Sequence, residues 1–246
     1  MTSPPPKKAM ILAAGLGTRM RPIINKKPKA LIRIGDRSLI DRVLDRLVDE
    51  GVETVVVNVH HLGDMIEREL GDRADGPTIL FSPEETLLET GGGVAKALSH
   101  FADEPFFVAN ADIMWLNGPQ SALARLAQAW DDDAMDALLM LHSTVDAYGY
   151  QGRGDFCANP DGRLTRRPEM EVTPFLFTGV QILHPRLFVD APEGPFSLNR
   201  LYDQAIDTDR LYSMVSDGEW FDVGTPDGLD EAERYLAVRY AETRHR

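Results

Sequence analysis

The stretch "MILAAGLGTRMRPIINKKPKAL", Met10 to Leu31, decides how the rest of the chain is read. With the two residues before it, "KAMILAA" is apolar at every position after Lys8, the pattern of a strand buried on both faces. It stops at Gly15 and Gly17. Glycines at a strand end expose successive backbone N–H groups, because glycine accepts the close approach and positive φ that an anion-cradling loop needs. Pro22 and Pro28 then restrict the crossing segment and block a regular helix. Between Arg19 and Arg37 the chain carries seven basic side chains against one acid, Asp36, a local charge of +6.

Outside that stretch the charge is reversed. The 246 residues have a net charge of −13, so everything beyond the basic segment sums to −19. General affinity for nucleic acid or anionic lipid is therefore not expected, and a basic focus in an acidic chain points to a small anionic ligand. Apolar content of 43% with 26% charged residues fits a folded globular enzyme. No apolar run approaches the roughly 18 residues that cross a bilayer, and "MTSPPPKK" lacks the apolar segment of a secretory signal. Residues 1–8 are expected to be a loose tail ahead of a single domain over 9–246. One cysteine, Cys157, excludes an internal disulfide and suits a cytoplasmic setting. A monomer or small homo-oligomer is expected.

Working outward, strand and helix patterns alternate. "SLIDRVLDRLVDEG" places Leu39, Ile40, Val43, Leu44, Leu47 and Val48 on one helical face, closed by Gly51. "TVVVNV", "PTILFS", "PFFVANAD" and "DALLMLH" read as strands, with helices at "LGDMIERELG", "GGGVAKALSHF" and "PQSALARLAQAW". This alternation implies an α/β fold, a doubly wound, mostly parallel sheet with ligands beyond the carboxyl ends of its strands. From 143 to 177 the rhythm gives way to Gly, Asp, Pro and Arg-rich connections, expected to form a small antiparallel lid insertion. "FLFTGVQIL" returns to strand and "SLNRLYDQAI" to helix; "RLYSMVS" and "EWFDVG" read as an antiparallel pair. Thr225 and Pro226 open a closing helix through Tyr240.

The glycine loop is neither of the two best-known phosphate loops. A Walker loop needs Gly-Lys-Ser/Thr at its end, and the dinucleotide fingerprint needs a third glycine where Met20 stands. The whole spaced set, Leu-Ala-Ala-Gly-x-Gly-Thr-Arg followed by Pro and then Pro-Lys, resembles the signature of the sugar-phosphate nucleotidyltransferases. These enzymes join a nucleoside triphosphate to a sugar 1-phosphate and release pyrophosphate. Further segments, "SPEETLLETGGGV" (Ser82–Val94), "ANAD" (Ala109–Asp112), "GRGDF" (Gly152–Phe156), "FTGVQILHPRLF" (Phe177–Phe188) and "WFDVGT" (Trp220–Thr225), are similar to the N-acetylmuramate 1-phosphate uridylyltransferases of bacterial cell-wall recycling.

The resemblance implies a Rossmann-like nucleotidyltransferase fold and assigns roles. Ala14, Gly15, Gly17, Thr18, Arg19 and Lys29 would hold the triphosphate, with Gly91 at the base. Arg19, Lys29 and Asp112 would serve the reacting centre. Asp112 and Asp222 would hold Mg²⁺, and Asn110, Gly152, Asp155, Glu171 and Thr178 would face the sugar phosphate. The substrates would be UTP and N-acetylmuramate 1-phosphate. Mannose- or heptose-1-phosphate guanylyl transfer keeps the same chemistry with other substrates. A catalytically silent nucleotide-sugar sensor on the same fold is a different class, and retention of Arg19, Lys29, Asp112 and Asp222 argues against it.

Overall fold

The computed structural model describes residues 4–17, 20, 27–71, 73 and 76–243. Parallel strands β1 (Lys8–Leu12), β4 (Thr54–Val59), β5 (Thr78–Pro83) and β6 (Phe106–Asn110) form half of the main sheet. β1 lies between β4 and β6, with Leu12 opposite both Asn58 and Asn110. Two short hairpin strands, β2 (Arg33–Ile34) and β3 (Arg37–Ser38), and a small pair completed by β7 (Met114–Leu116) stand apart from it. The sheet continues through β11 (Phe175–Leu183), antiparallel to β6 on one side and to β8 (Ala137–Ser143) on the other.

Alternation along the strands sorts the core into two faces. Ala9, Ile11, Val55, Val57, Phe107 and Ala109 pack with helices α1 (Leu39–Asp49), α2 (Gly63–Gly71) and α4 (Ala122–Ala129). Met10, Val56, Phe106 and Val108 face the other way, against α3 (Glu89–Ala97) and α5 (Asn199–Asp207). Burial on both faces is what the continuous apolar strands require. In α1 the Ser38 hydroxyl caps the helix by accepting from the Asp41 N–H, and Leu39, Ile40, Val43, Leu44 and Leu47 are buried. Val48, expected on that face, is 36% exposed because it stands at the rim of the stripe.

A third cluster closes the molecule beside the glycine loop. Met20, Ile32, Ile34, Met114, Phe221 and Val223 pack under Ala232 and Leu236 of the closing helix α6 (Pro226–Thr243). The 143–177 segment contains the antiparallel strands β9 (Phe156–Ala158) and β10 (Leu164–Arg166), which join the sheet where Phe156 pairs with Phe175.

Two expectations are corrected. β12 (Leu211–Val215) and β13 (Glu219–Phe221) do not pair with each other. β12 runs parallel to β8, and β13 pairs with β7. The turn between them is pulled aside by the Arg125 to Asp217 ion pair (2.6 Å) and by Gly218, where an added Cβ would lie 2.0 Å from the Leu116 carbonyl. Lys7 and Lys8, assigned to the loose tail, are also tied in. Lys8 begins β1, and the Lys7 carbonyl accepts from the Glu53 N–H at 2.8 Å.

Candidate active site

β1 and β6 end side by side, and the Ala111 N–H donates to the Leu12 carbonyl at 2.9 Å. Beyond these strand ends lies a cavity of about 410 Å³. Ala13, Ala14, Gly15 and Gly17 line one wall, Lys29 and Ala30 another, and Asn110 to Asp112 the floor. An added Cβ at Gly15 would meet nothing within 4 Å, so its Cα borders open space rather than packed protein. Gly17 takes a φ of +60°, the left-handed turn that glycine accepts at little cost. Thr18 and Arg19 lie outside the described residues.

Lys29 is delivered by Pro28 and a single 3-10 turn, Lys29–Leu31. Its side chain is only 8% exposed, and Nζ donates to Asp112 Oδ2 at 2.6 Å. A buried ammonium needs such a partner, since desolvating an unpaired charge costs several kcal/mol. Asp112, whose side chain is 39% exposed, keeps an open side toward the cavity. Two other basic residues of the segment, Arg33 and Arg37, are paired away from the cavity. Arg33 pairs with Glu69 at 2.7 Å, and Arg37 pairs with Asp45.

Asp222 does not line this cavity. It follows Phe221, which pairs with Met114, so the β7–β13 register brings it to the end of the pair from which Asp112 emerges. Its N–H donates to the Tyr148 carbonyl at 2.9 Å, and Oδ1 accepts from the Gly224 N–H at 3.0 Å. Tyr150 lies within the fields of both Asp155 and Asp222. Burial pushes its phenol upward, opposed by the hydrogen bond from the Gly154 N–H, and the two carboxylates push it further.

The remaining sequence candidates divide. Asn110 lines the cavity, and Gly179, at φ +87°, makes room for it: an added Cβ would lie 2.8 Å from Asn110 Nδ2. Gly91 is placed away from the cavity wall. Its N–H donates to the Phe196 carbonyl at 2.8 Å, and an added Cβ would sit 2.3 Å from the Phe196 ring. The three glycines thus lie inside α3 rather than in an open turn, because each meets a close neighbour: Phe196, the Gly194 carbonyl, and Asn58 with Glu84. The Thr178 hydroxyl donates to the Met140 carbonyl at 2.7 Å. Asp155 Oδ2 accepts from the Phe177 N–H at 2.9 Å. Gly152 packs against the Tyr150 phenol, and Glu171 is exposed.

Sequence reasoning missed Asn58, Leu87, Glu89, Thr90 and Ser197, all on the cavity wall. Asn58 carried a signal, being the one polar residue within "VVVNV". Glu89 carried none, although its φ of +59° is uncommon for a residue with a Cβ. Among the described residues no group of three or more His, Cys, Asp or Glu could hold a metal ion, and no helix is long and apolar enough to cross a membrane.

The family model for nucleotidyl transferase matches residues 8–238. The chain belongs to this family. It is 43% identical over 236 residues to the N-acetylmuramate alpha-1-phosphate uridylyltransferase of Caulobacter vibrioides, covering 94% of this chain and 98% of that protein. The enzyme of the same name from Neisseria meningitidis serogroup B is 35% identical over 230 residues, covering 92% and 96%. In fold, the chain superposes on UDP-glucose pyrophosphorylase complexed with UDP-glucose with a TM-score of 0.75 at 18% identity, covering 95% of this chain and 99% of that one. For the nucleotidyl transferase described here, the cavity at the glycine loop, with a paired lysine and aspartate on its wall, is the candidate centre of the family's chemistry.

Proposed function

We propose that this enzyme transfers a uridylyl group from UTP to N-acetylmuramate 1-phosphate, giving UDP-N-acetylmuramate and pyrophosphate, in the cytoplasm. The observation that carries the choice of substrates is the 43% identity to the Caulobacter uridylyltransferase across nearly the whole of both chains. The geometry supports the reaction class independently.

In this reaction an oxygen of the sugar phosphate attacks the α-phosphorus of UTP, and the bond to the bridging oxygen of the leaving pyrophosphate breaks. The attacking oxygen is already anionic, so no general base is required. The work is to hold two anions together and to stabilise the leaving group. Backbone at Ala13 to Gly17 is open to the phosphates on one side. Lys29, desolvated and fixed by Asp112, supplies a positive charge to the phosphates without having to be ordered first. Leu87, Glu89 and Thr90 form the wall against which the base would rest, and Asn110 is within the cavity to meet the sugar.

Asp112 and Asp222 are the residues that would hold Mg²⁺. The fit is chemical: the β7–β13 register brings both residues to one end of that pair, both offer carboxylate oxygens, and Mg²⁺ is commonly held by one or two carboxylates with phosphate oxygens and water. When bound it would neutralise charge on the triphosphate. Arg19, next to the loop, is proposed to assist on the leaving phosphates.

The test is pyrophosphate release with UTP, CTP, GTP and dTTP, each against N-acetylmuramate, mannose and glucose 1-phosphates. The fastest turnover is expected with UTP and N-acetylmuramate 1-phosphate. A preference for GTP and mannose 1-phosphate would overturn the choice of substrates, and no turnover with any pair would overturn the enzyme reading.

A further inference from the structure

Asn58, on the cavity wall, and Glu84, behind it, are both polar and almost fully enclosed, 2% and 5% exposed. Enclosing an amide and a carboxylate is costly unless their polar atoms are hydrogen-bonded. Here the bonds form a chain. The Ala13 N–H donates to Asn58 Oδ1 at 2.8 Å, Asn58 Nδ2 donates to Glu84 Oε1 at 2.7 Å, and the Leu88 N–H donates to Glu84 Oε2 at 2.9 Å.

The two ends of this chain matter most. Ala13 lies in the glycine-loop wall, between Leu12 and Ala14, which line the cavity with it. Leu88 lies between Leu87 and Glu89, which line the opposite wall. Its carbonyl also accepts from the Phe196 N–H at 3.2 Å, next to the cavity residue Ser197. Glu84 is anchored by its own backbone, donating to the Val59 carbonyl at 2.8 Å while its carbonyl meets His60 Nδ1 at 2.8 Å. Room for the chain comes from Gly93, where an added Cβ would lie 2.7 Å from Asn58 Nδ2 and 2.9 Å from Glu84 Oε1. Among the described residues no cationic side chain forms an ion pair with Glu84, so its oxygens are committed to these two N–H donors.

We propose that Asn58 and Glu84 are positioning residues for the nucleotide, a buried brace that fixes the spacing between the phosphate wall at Ala13 and the base wall at Leu88. This rests on the nucleotidyl-transfer reading of the cavity. A nucleoside triphosphate must reach both walls at once, whereas the sugar phosphate need not, so the brace acts on one substrate more than the other. Small misplacement of a binding wall is enough to cost a large factor in binding or rate.

The polarity of the chain supplies its own test. Asn58→Asp sets two carboxylates side by side. Glu84→Gln forces an amide N–H against either Asn58 Nδ2 or the Leu88 N–H. In the double variant Asn58→Asp/Glu84→Gln every link can reform with the middle bond reversed: the new aspartate accepts from Ala13 and from the new glutamine, whose oxygen accepts from Leu88. Each single change is expected to raise the KM for UTP about tenfold while leaving that for the sugar phosphate within about twofold, and the double variant to recover at least about threefold. Amide exchange at Ala13 and Leu88, followed by NMR without substrates, should quicken about tenfold in the singles and slow again in the double.

Three results would overturn the brace: an unchanged KM for UTP in both singles, an equal rise in both KM values with a lower melting temperature, or a double variant no better than the worse single. If the wild-type enzyme turns over no pair, the functional reading fails by itself. Exchange at Ala13 and Leu88 then decides the brace alone.

Discussion

At the ends of β1 and β6, Lys29 and Asp112 meet at 2.6 Å on the wall of an open cavity. In the insertion from 143 to 177 and its return strand, Asp155 and Thr178 instead bond to the Phe177 N–H and the Met140 carbonyl. Both regions carry acids, glycines and hydroxyls. Strands buried on both faces already satisfy their own backbone, so polar side chains at their ends are left to face a ligand. An irregular insertion has few ladder bonds and uses its side chains to complete them. Residue type alone therefore says less about function in the insertion than at the strand ends.

The contrast can be broken or sharpened by substitution. Lys29→Met keeps much of the side-chain volume and removes the charge. A loss of about 10³ in kcat/KM, ~4 kcal/mol, is expected by pyrophosphate assay, with the fold retained by circular dichroism. A loss below tenfold would place the phosphates elsewhere. Gly91→Ala tests packing, since the new methyl must displace the Phe196 ring. Its melting temperature should fall by about 5–10 °C, for ~2–3 kcal/mol of strain. If instead the KM for UTP rises with no thermal change, Gly91 reads the base after all.

Smaller effects are expected away from the cavity. Burial lowers the pKa of His142 on β8, with Asp146 opposing, and burial aided by Arg186 lowers that of His184. Both protonate less readily in the fold than in the unfolded chain. The unfolded chain therefore binds more protons as pH falls through about 6.5, and stability present above that value is lost below it. His142→Leu should flatten part of this decline in a melting series across that range; an unaltered slope would remove His142 as a cause. Glu171→Ala, at an exposed position, should change kcat/KM by less than about twofold. A larger effect would make the insertion a substrate wall.

Legibility in the sequence followed the same line. Period-two burial of Ala9 and Ile11 against Met10, and the stripe of α1, come straight from hydrophobic spacing. That Gly15 and Lys29 line the cavity was readable because turn chemistry and charge coincide after β1, whereas Asn110 and Asp112, which line it too, were singled out through the resemblance. The partners of β12 and β13 were not readable, since a Ser-Asp-Gly turn looks alike whether its strands pair with each other or with β8 and β7. The "GGG" run was readable as part of a helix, but not its packing: the neighbours that crowd these glycines, Phe196, Gly194 and the Asn58–Glu84 pair, come from distant parts of the chain. Leu87, Glu89, Thr90 and Ser197 become neighbours only through the packing of α3 against the segment before α5.

The central claim is that the glycine-loop cavity is where the nucleotide binds, with Lys29 and Asp112 at its phosphates. The most direct measurement is a crystal structure of the protein with a UTP analogue whose α–β bridge is a methylene group. The phosphates are predicted between residues 13–17 and Lys29, with the base against Leu87 to Thr90. The same chain has a second groove, lined by Tyr148, Glu231, Arg234, Tyr235, Val238 and Arg239. Nucleotide seated there, with the Lys29 to Asp112 pair untouched, would contradict the account.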